Sequence, residues 1–301
     1  MSNPREPSRE QASTYFVEDR SSLDEMARLE VQDQMITTEM GGVLPELADP
    51  TMLRRVLDVG CGTGGWLMKT ARAYPMIEKL VGTDISSKMI AHARAQAKAL
   101  GLDERVDFQT MDALRMLEFP AASFNLVNQR LAASWLRTWE WKKILLEYQR
   151  VSRPGGIIRI TESNFIFESN SPALTKINAL TLEAFYRSGR LFTPSGNGLI
   201  SELVRLMTQC GIADVKSRVY TLVYRAGTET GQQFYEEALR SFRLFLPFYQ
   251  KWTRVPEDYK ETCQQALEEI RHPDFVGTWT LLTAWGLCSE EEKSISLRGL
   301  R

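Results

Sequence analysis

A parallel α/β fold is expected from three features of this 301-residue sequence. Short apolar runs alternate with amphipathic stretches between Arg55 and Thr161. The bend VLDVGCGTGG (residues 56–65) follows the first run, and an aspartate, Asp84, closes the second. Strands that alternate with helical segments build parallel sheets, because a crossover helix returns the chain to the same edge.

Taken in order, residues 1–11 are polar, carry two prolines and read as a loose tail, with order expected from near Thr14. Apolar residues over 23–40 recur mostly at helical spacing until Gly41-Gly42 stops the helix. Then come strand 55–59, helix 66–74, strand 79–84, helix 87–100, strand 106–110, strand 124–129, helix 141–152 and strand 157–161. Gly101 and Pro154-Gly155-Gly156 mark helix ends or the turns beyond them. Each of these five strands precedes a loop that can face one common edge. Past Glu162 the pattern gives a helix over 172–189, the turn-rich TPSGNG, a helix over 199–209 ended by Gly211, and a strand over 215–224. A long helix over 230–252, a helix over 256–271 and a strand over 275–287 complete it, the last two strands extending the same sheet. The end from Ser289 onward is polar and reads as frayed.

Composition excludes several functions. Hydrophobic residues make up 43%, charged residues 25%, and the net charge is -1, so there is no electrostatic footprint for nucleic acid. No signal-type stretch opens the chain and no run of bilayer length occurs, which predicts a cytoplasmic protein with no membrane partner. Cys61, Cys210, Cys263 and Cys288 are scattered and there are only two histidines, so no metal site and no disulfide framework are expected.

Gly60, Gly62 and Gly65 satisfy the dinucleotide pattern G-x-G-x-x-G. A pyrophosphate at the following helix N-terminus would, however, meet the carboxylate of Asp58 at the strand end. S-adenosylmethionine fits better: it has a sulfonium and an ammonium near its reactive end, no phosphates, and a ribose that asks for an acidic partner. Asp84, nineteen residues after Gly65, stands where an acid reaches both ribose hydroxyls.

The motifs VLDVGCGTGG, VGTDIS, MDAL, FNLVNQRLA and RVSRPGGIIRITES, in this order and spacing, resemble those of class I S-adenosylmethionine-dependent methyltransferases over about residues 53–162. RLEVQDQM, the arginine of NQRLA and the glutamate of TES are similar to small-molecule methyltransferases with an N-terminal lid helix. The resemblance implies a Rossmann-like, doubly wound seven-stranded sheet, mostly parallel with an antiparallel last strand. It divides the chain into a tail and lid helix, 1–50, and a methyltransferase domain, 51–301, with helical insertions at about 165–210 and 227–274. It implies S-adenosyl-L-methionine as cofactor and S-adenosyl-L-homocysteine as product. Asp58, Gly60, Gly62 and Gly64, with Cys61 and Thr63 between them, would form the floor under the methionyl part, and Asp84 would grip the ribose. Ile85 and Met89 would lie against the adenine, beside Met111, with Asp112 and the Ala113 amide on its polar edge. Asn128, Gln129 and Arg130 would face the methionyl group, and Arg130 with Gln32 or Tyr15 would meet its carboxylate.

Methyl transfer is an in-line displacement from a good leaving group, so positioning supplies much of the catalysis and a dedicated base is optional. His92 and His272 are poorly placed for one. Glu162, at the end of the fifth strand, is the candidate, with a hydrogen bond to the lid or to a neighbouring loop as its alternative role. Phe165, Phe167, Phe185, Tyr186 and Phe192, and then Phe242, Phe245, Phe248, Tyr249 and Trp252, could roof a pocket for an apolar or aromatic small molecule. At helical spacings most of them are core positions, so a minority are expected to touch substrate. The alternatives are a scaffold that binds S-adenosylmethionine for another reaction, or as a binder, and a NAD(P)-dependent oxidoreductase, which Asp58 and the PGG turn disfavour. Monomer and homodimer are both compatible with the sequence.

Overall fold

A computed structural model describes residues 14–20 and 22–289; apart from Ser289, the tails expected at the two ends lie outside the described residues. α1 (Leu23–Glu39) opens with Ser22, whose Oγ accepts the Glu25 N–H at 3.2 Å. β1 (Arg55–Val59) and β2 (Lys79–Asp84) flank α2 (Gly65–Ala73), and α3 (Ser87–Ala99) leads to β3 (Val106–Thr110). β4 (Phe124–Arg130) follows, then α4 (Trp141–Val151), whose Trp141, Ile144, Leu145 and Tyr148 are buried at spacings of three and four. β5 (Ser152–Ser169), α5 (Pro172–Arg187), α6 (Ile200–Gln209), β6 (Ala213–Arg225), α7 (Glu229–Leu244), α8 (Leu246–Trp252), α9 (Tyr259–Arg271) and β7 (Val276–Leu287) complete the chain.

The seven strands form one sheet in the order β3-β2-β1-β4-β5-β7-β6. β1 pairs in parallel with β2 and β4, as do β2 with β3 and β4 with β5, whereas β7 is antiparallel to both its neighbours. Val56, Leu57 and Val59 are fully buried, as a central strand covered on both faces requires. The chain runs outward from β1 to β3 and then returns to β4 on the other side of β1. Such a reversal opens a crevice beyond the carboxyl ends of β1 and β4.

Two elements differ most from the sequence reading. β5 does not stop at Thr161 but continues to Ser169, because β7 offers it partners from Ile157↔Leu287 to Ser169↔Gly277, with an irregularity between Ser163 and Phe167. The helix after it begins at Pro172, as the sequence places it. The long helix over 230–252 is two helices broken at Phe245. Pro247 has no N–H for the carbonyl one turn back and its ring crowds that carbonyl, so the second helix starts afresh with proline in its first turn.

Candidate active site

Beyond β1 the chain turns through Gly60, whose φ of 71° is a left-handed conformation that side chains rarely adopt. A Cβ there would lie 3.1 Å from the indole nitrogen of Trp135, so the bend presents bare backbone. The Gly60 and Cys61 amides both donate to the Thr83 carbonyl, at 2.8 and 2.9 Å, which ties the bend to β2. The Gly62 N–H donates to Asp84 Oδ2 at 3.1 Å and the Ser86 N–H to Oδ1 at 2.8 Å. Burial raises the pKa of Asp84, and these amides oppose it. Gly64 serves the packing instead. A Cβ at this left-handed position would overlap the Phe108 ring, so its bareness lets the bend seat on the sheet.

Asp58, 4% exposed, ends a buried chain of polar groups. Asn128 Nδ2 donates to Asp58 Oδ1 at 2.7 Å, and Asn128 Oδ1 accepts from Arg159 Nη1 at 2.7 Å. Arg159 also donates to both oxygens of Glu46, at 3.1 and 2.9 Å. Because a guanidinium only donates, the amide carbonyl must face Arg159 and the amide NH2 must face Asp58. Burial pushes the Asp58 carboxyl up to about 6, against the pull of Arg130, Asn128 and Arg159.

Arg130 reaches Asp33 Oδ1 at 2.5 Å, while Lys69 reaches Asp33 Oδ2 at 2.7 Å. Burial alone would raise the Asp33 carboxyl, but the two cations outweigh it and hold it low. Tyr15 and Gln32 do not join Arg130. The Tyr15 hydroxyl donates to Glu25 at 2.5 Å and Gln32 Nε2 to Glu237 at 2.5 Å, around Arg28, which bridges both glutamates.

These elements enclose a cavity of about 310 Å³ at the carboxyl ends of the strands. Asp58, Gly60, Cys61, Gly62 and Thr63 border it on one side, with Asp84 at the end of β2, Ile85 just beyond it and Met89 in the first turn of α3. Met111, Asp112 and Ala113 follow after β3, and Arg130, Glu162, Tyr15 and Gln32 face it from the remaining walls. Three residues read as cofactor contacts do not border the cavity: Gly64, Asn128 and Gln129. Asn128 lies between Asp58 and Arg159, and Gln129 is held between Glu162 (2.9 Å) and the Tyr148 hydroxyl (3.1 Å). Neither histidine borders it; His92 is engaged with Glu30 at 2.8 Å.

Glu162 borders the cavity at 1% exposure. Its Oε1 accepts from the Ala132 N–H at 2.7 Å and from Gln129 Nε2 at 2.9 Å, and its Oε2 from the Ala133 N–H at 3.5 Å. It thus caps the 3-10 turn Ala132–Ser134, which follows Leu131, a left-handed non-glycine residue with φ 55°. Burial pushes the Glu162 carboxyl up to about 8 against these donors.

Asp33, Trp135 and Glu237 escaped the sequence reading. For Asp33 a signal existed, since it stands four residues after Leu29 and three before Ile36 on one helix face. Trp135 lies in an irregular loop, where periodicity says nothing.

The wall can be tested for fit to S-adenosylmethionine. Bare backbone at Gly60, carboxylates at the ends of β1 and β2, and a guanidinium at the end of β4 suit a ligand with cationic groups, a ribose and one carboxylate; a diphosphate would face Asp58 and Asp84. Sheet order and crevice together define a class I S-adenosylmethionine-dependent methyltransferase. Residues 56–156 match the family described as "Methyltransferase domain". The chain is 34% identical over 253 residues to the 27-O-demethylrifamycin SV methyltransferase of Amycolatopsis mediterranei (strain S699), covering 84% of this chain and 78% of that protein. It is 25% identical over 215 residues to N-methyltransferase tcpN of Claviceps purpurea (strain 20.1), covering 68% and 72%. Among solved structures, phosphoethanolamine N-methyltransferase 2 of Haemonchus contortus, bound to S-adenosylhomocysteine, shares the fold with a TM-score of 0.54 at 18% identity. That match covers 91% of this chain and 60% of the longer one. The chain belongs to the class I S-adenosylmethionine-dependent methyltransferases and transfers methyl groups to small molecules, which removes the NAD(P)-dependent oxidoreductase from consideration. No helix among the described residues is long and apolar enough to cross a membrane.

Proposed function

We propose that the methyl acceptor is an apolar or aromatic small molecule bound beside the cofactor in this same cavity. The observation that carries the proposal is the cavity's second half, where Phe165, Phe167, Phe185, Phe242, Phe245 and Tyr249 form the wall. Six of the ten aromatics read from the insertions thus border it, more than their helical spacing led us to expect. The relatives named above for 27-O- and N-methylation support acceptors of either atom.

In this reading Asp84 holds the ribose hydroxyls, Ile85 and Met89 pack on the adenine, and Asp112 with the Ala113 amide meets its edge. Asp58 faces the ammonium and Arg130 the carboxylate of the methionyl part, with Asp33 fixing the Arg130 guanidinium. When bound, S-adenosylmethionine supplies an electrophilic methyl group on a sulfonium. The protein's part is to orient the acceptor and keep water out, with α1 as a lid closed against α7. Glu162 is assigned a positioning role in place of the proton acceptor expected from its strand. Three donors converge on its carboxyl, and a group raised to about 8 is mostly protonated at neutral pH.

Calorimetry with S-adenosylhomocysteine on the wild type and Asp84→Ala, followed by a panel of phenols, amines and acids scored by S-adenosylhomocysteine release, tests this. We expect Asp84→Ala to lose most of its affinity with the fold retained, and aromatic acceptors to be turned over. Unchanged affinity would remove the ribose contact, and turnover confined to small polar acceptors would remove the aromatic chamber.

A further inference from the structure

In the aromatic half of the cavity one carboxylate oxygen stands alone. Glu237, on α7 and 5% exposed, borders the cavity beside Phe234 and Phe245. Its Oε1 accepts from Gln32 Nε2 at 2.5 Å and from Arg28 Nη1 at 3.2 Å. Among the described residues its Oε2 has no hydrogen-bond partner. A buried carboxylate oxygen without a donor is costly, so structures retain one where a ligand completes it.

The charge balance points the same way. Arg28 serves two buried glutamates, donating to Glu25 at 2.8 and 2.7 Å and to Glu237 at 3.2 Å, so one guanidinium faces two carboxyl groups. Burial, with the nearby Glu25, raises the Glu237 carboxyl, an opposition that a donor or cation at Oε2 would relieve. Among the described residues none of the polar side chains on this wall bonds to Oε2, and the Tyr224 hydroxyl, whose pKa burial and the Glu237 charge raise, is itself without a hydrogen-bond partner. Asn178 is spent on the Phe167 backbone at 3.3 and 2.7 Å, and Thr181 on the Ile177 carbonyl and the Tyr249 hydroxyl at 2.9 and 2.8 Å.

We propose that Glu237 Oε2 receives a hydrogen-bond donor carried by the methyl acceptor, so that the substrate is an apolar ring system bearing an ammonium or a hydroxyl group. This rests on the reading that the aromatic half of the cavity takes the acceptor. An ammonium would give the free oxygen both a donor and a cation, a hydroxyl a donor alone. A carboxylic acid would set a second anion against Glu237 and is selected against.

The test uses the full chain saturated with S-adenosylhomocysteine and four matched probes: 2-naphthylmethylamine, 2-naphthalenemethanol, 2-methylnaphthalene and 2-naphthoic acid. Equilibrium dialysis should show the amine or the alcohol bound about ten-fold more tightly than the hydrocarbon, with the acid weakest. The tighter of the two identifies the donor. In Glu237→Gln, with S-adenosylhomocysteine affinity unchanged, that preference should shrink to about three-fold or less. Equal binding of all four probes by the wild type, no binding of amine or alcohol, or a preference that survives in Glu237→Gln would overturn the proposal; the wild-type comparison stands even if the variant misfolds. Failure of the wild type to bind S-adenosylhomocysteine would strike the cofactor reading instead.

Discussion

Asp58 shows how a single side chain couples burial to ligand charge. Its carboxyl must be ionised to meet a cation, and burial has lifted it to about 6. A proton therefore competes with the ligand below that value. We expect the affinity for S-adenosylhomocysteine, measured by calorimetry, to be flat above pH 7 and to fall as pH drops through about 6, with the acid limb absent in Asp58→Asn. Gly60 and Gly64 should separate in their effects. A methyl at Gly64 runs into Phe108 in the core, so Gly64→Ala should mainly lower the unfolding free energy, by roughly 1–3 kcal/mol. A methyl at Gly60 enters the cavity rim against Trp135, so Gly60→Ala should weaken cofactor binding in addition to the stability that its left-handed φ costs. Glu162 bears on stability. Its folded pKa is raised, so the stability linked to its proton is fully present below the unfolded carboxyl value and is lost as pH rises through about 8. Glu162→Gln should flatten that decline in urea titrations at pH 5 and pH 8. These local features were partly legible beforehand: glycine spacing and strand-end acids are short-range patterns, whereas nothing in NQR says that Asn128 and Gln129 turn inward while Arg130 turns to the cavity.

Between elements, the polar chain Glu46–Arg159–Asn128–Asp58 links the segment before β1 to β5, β4 and β1. Both ends of its ion pair are excluded from water, with side-chain exposures of 1% for Arg159 and 0% for Glu46. Removing one partner leaves the other charged and unpaired, which costs far more than removing both. Arg159→Met should lose about 3–5 kcal/mol in urea unfolding, and Arg159→Met combined with Glu46→Met should recover much of it. The same single variant frees the Asn128 amide and should move the acid limb of ligand binding upward, because Arg159 helps to keep Asp58 ionised. Element boundaries were readable where one periodicity prevailed, as in β1, β2 and β3. They failed where pairing decided: ESNFIFES has no clean alternation, and it is strand because β7 lies alongside it.

For the whole molecule, the fold commits its strand ends to one ligand, so binding should stabilise the entire domain. At a free S-adenosylhomocysteine concentration of about 100 times Kd the gain is about 2.7 kcal/mol, visible as a raised melting temperature, and NAD should give none. α1 borders the cavity and meets α7 through Arg28–Glu237 and Asp24–Arg243, at 3.2 and 2.6 Å. Sequence alone determined the strands at the centre of the sheet, the glycine bend and the acids at the ends of β1 and β2, because apolar periodicity and residues next to a turn act over a few positions. Tertiary structure decided the length of β5, which polar groups reach the cavity, and the unpaired oxygen of Glu237. Arg28 and Glu237 stand 209 positions apart, and only the closing of α7 over α1 brings one guanidinium between two carboxylates.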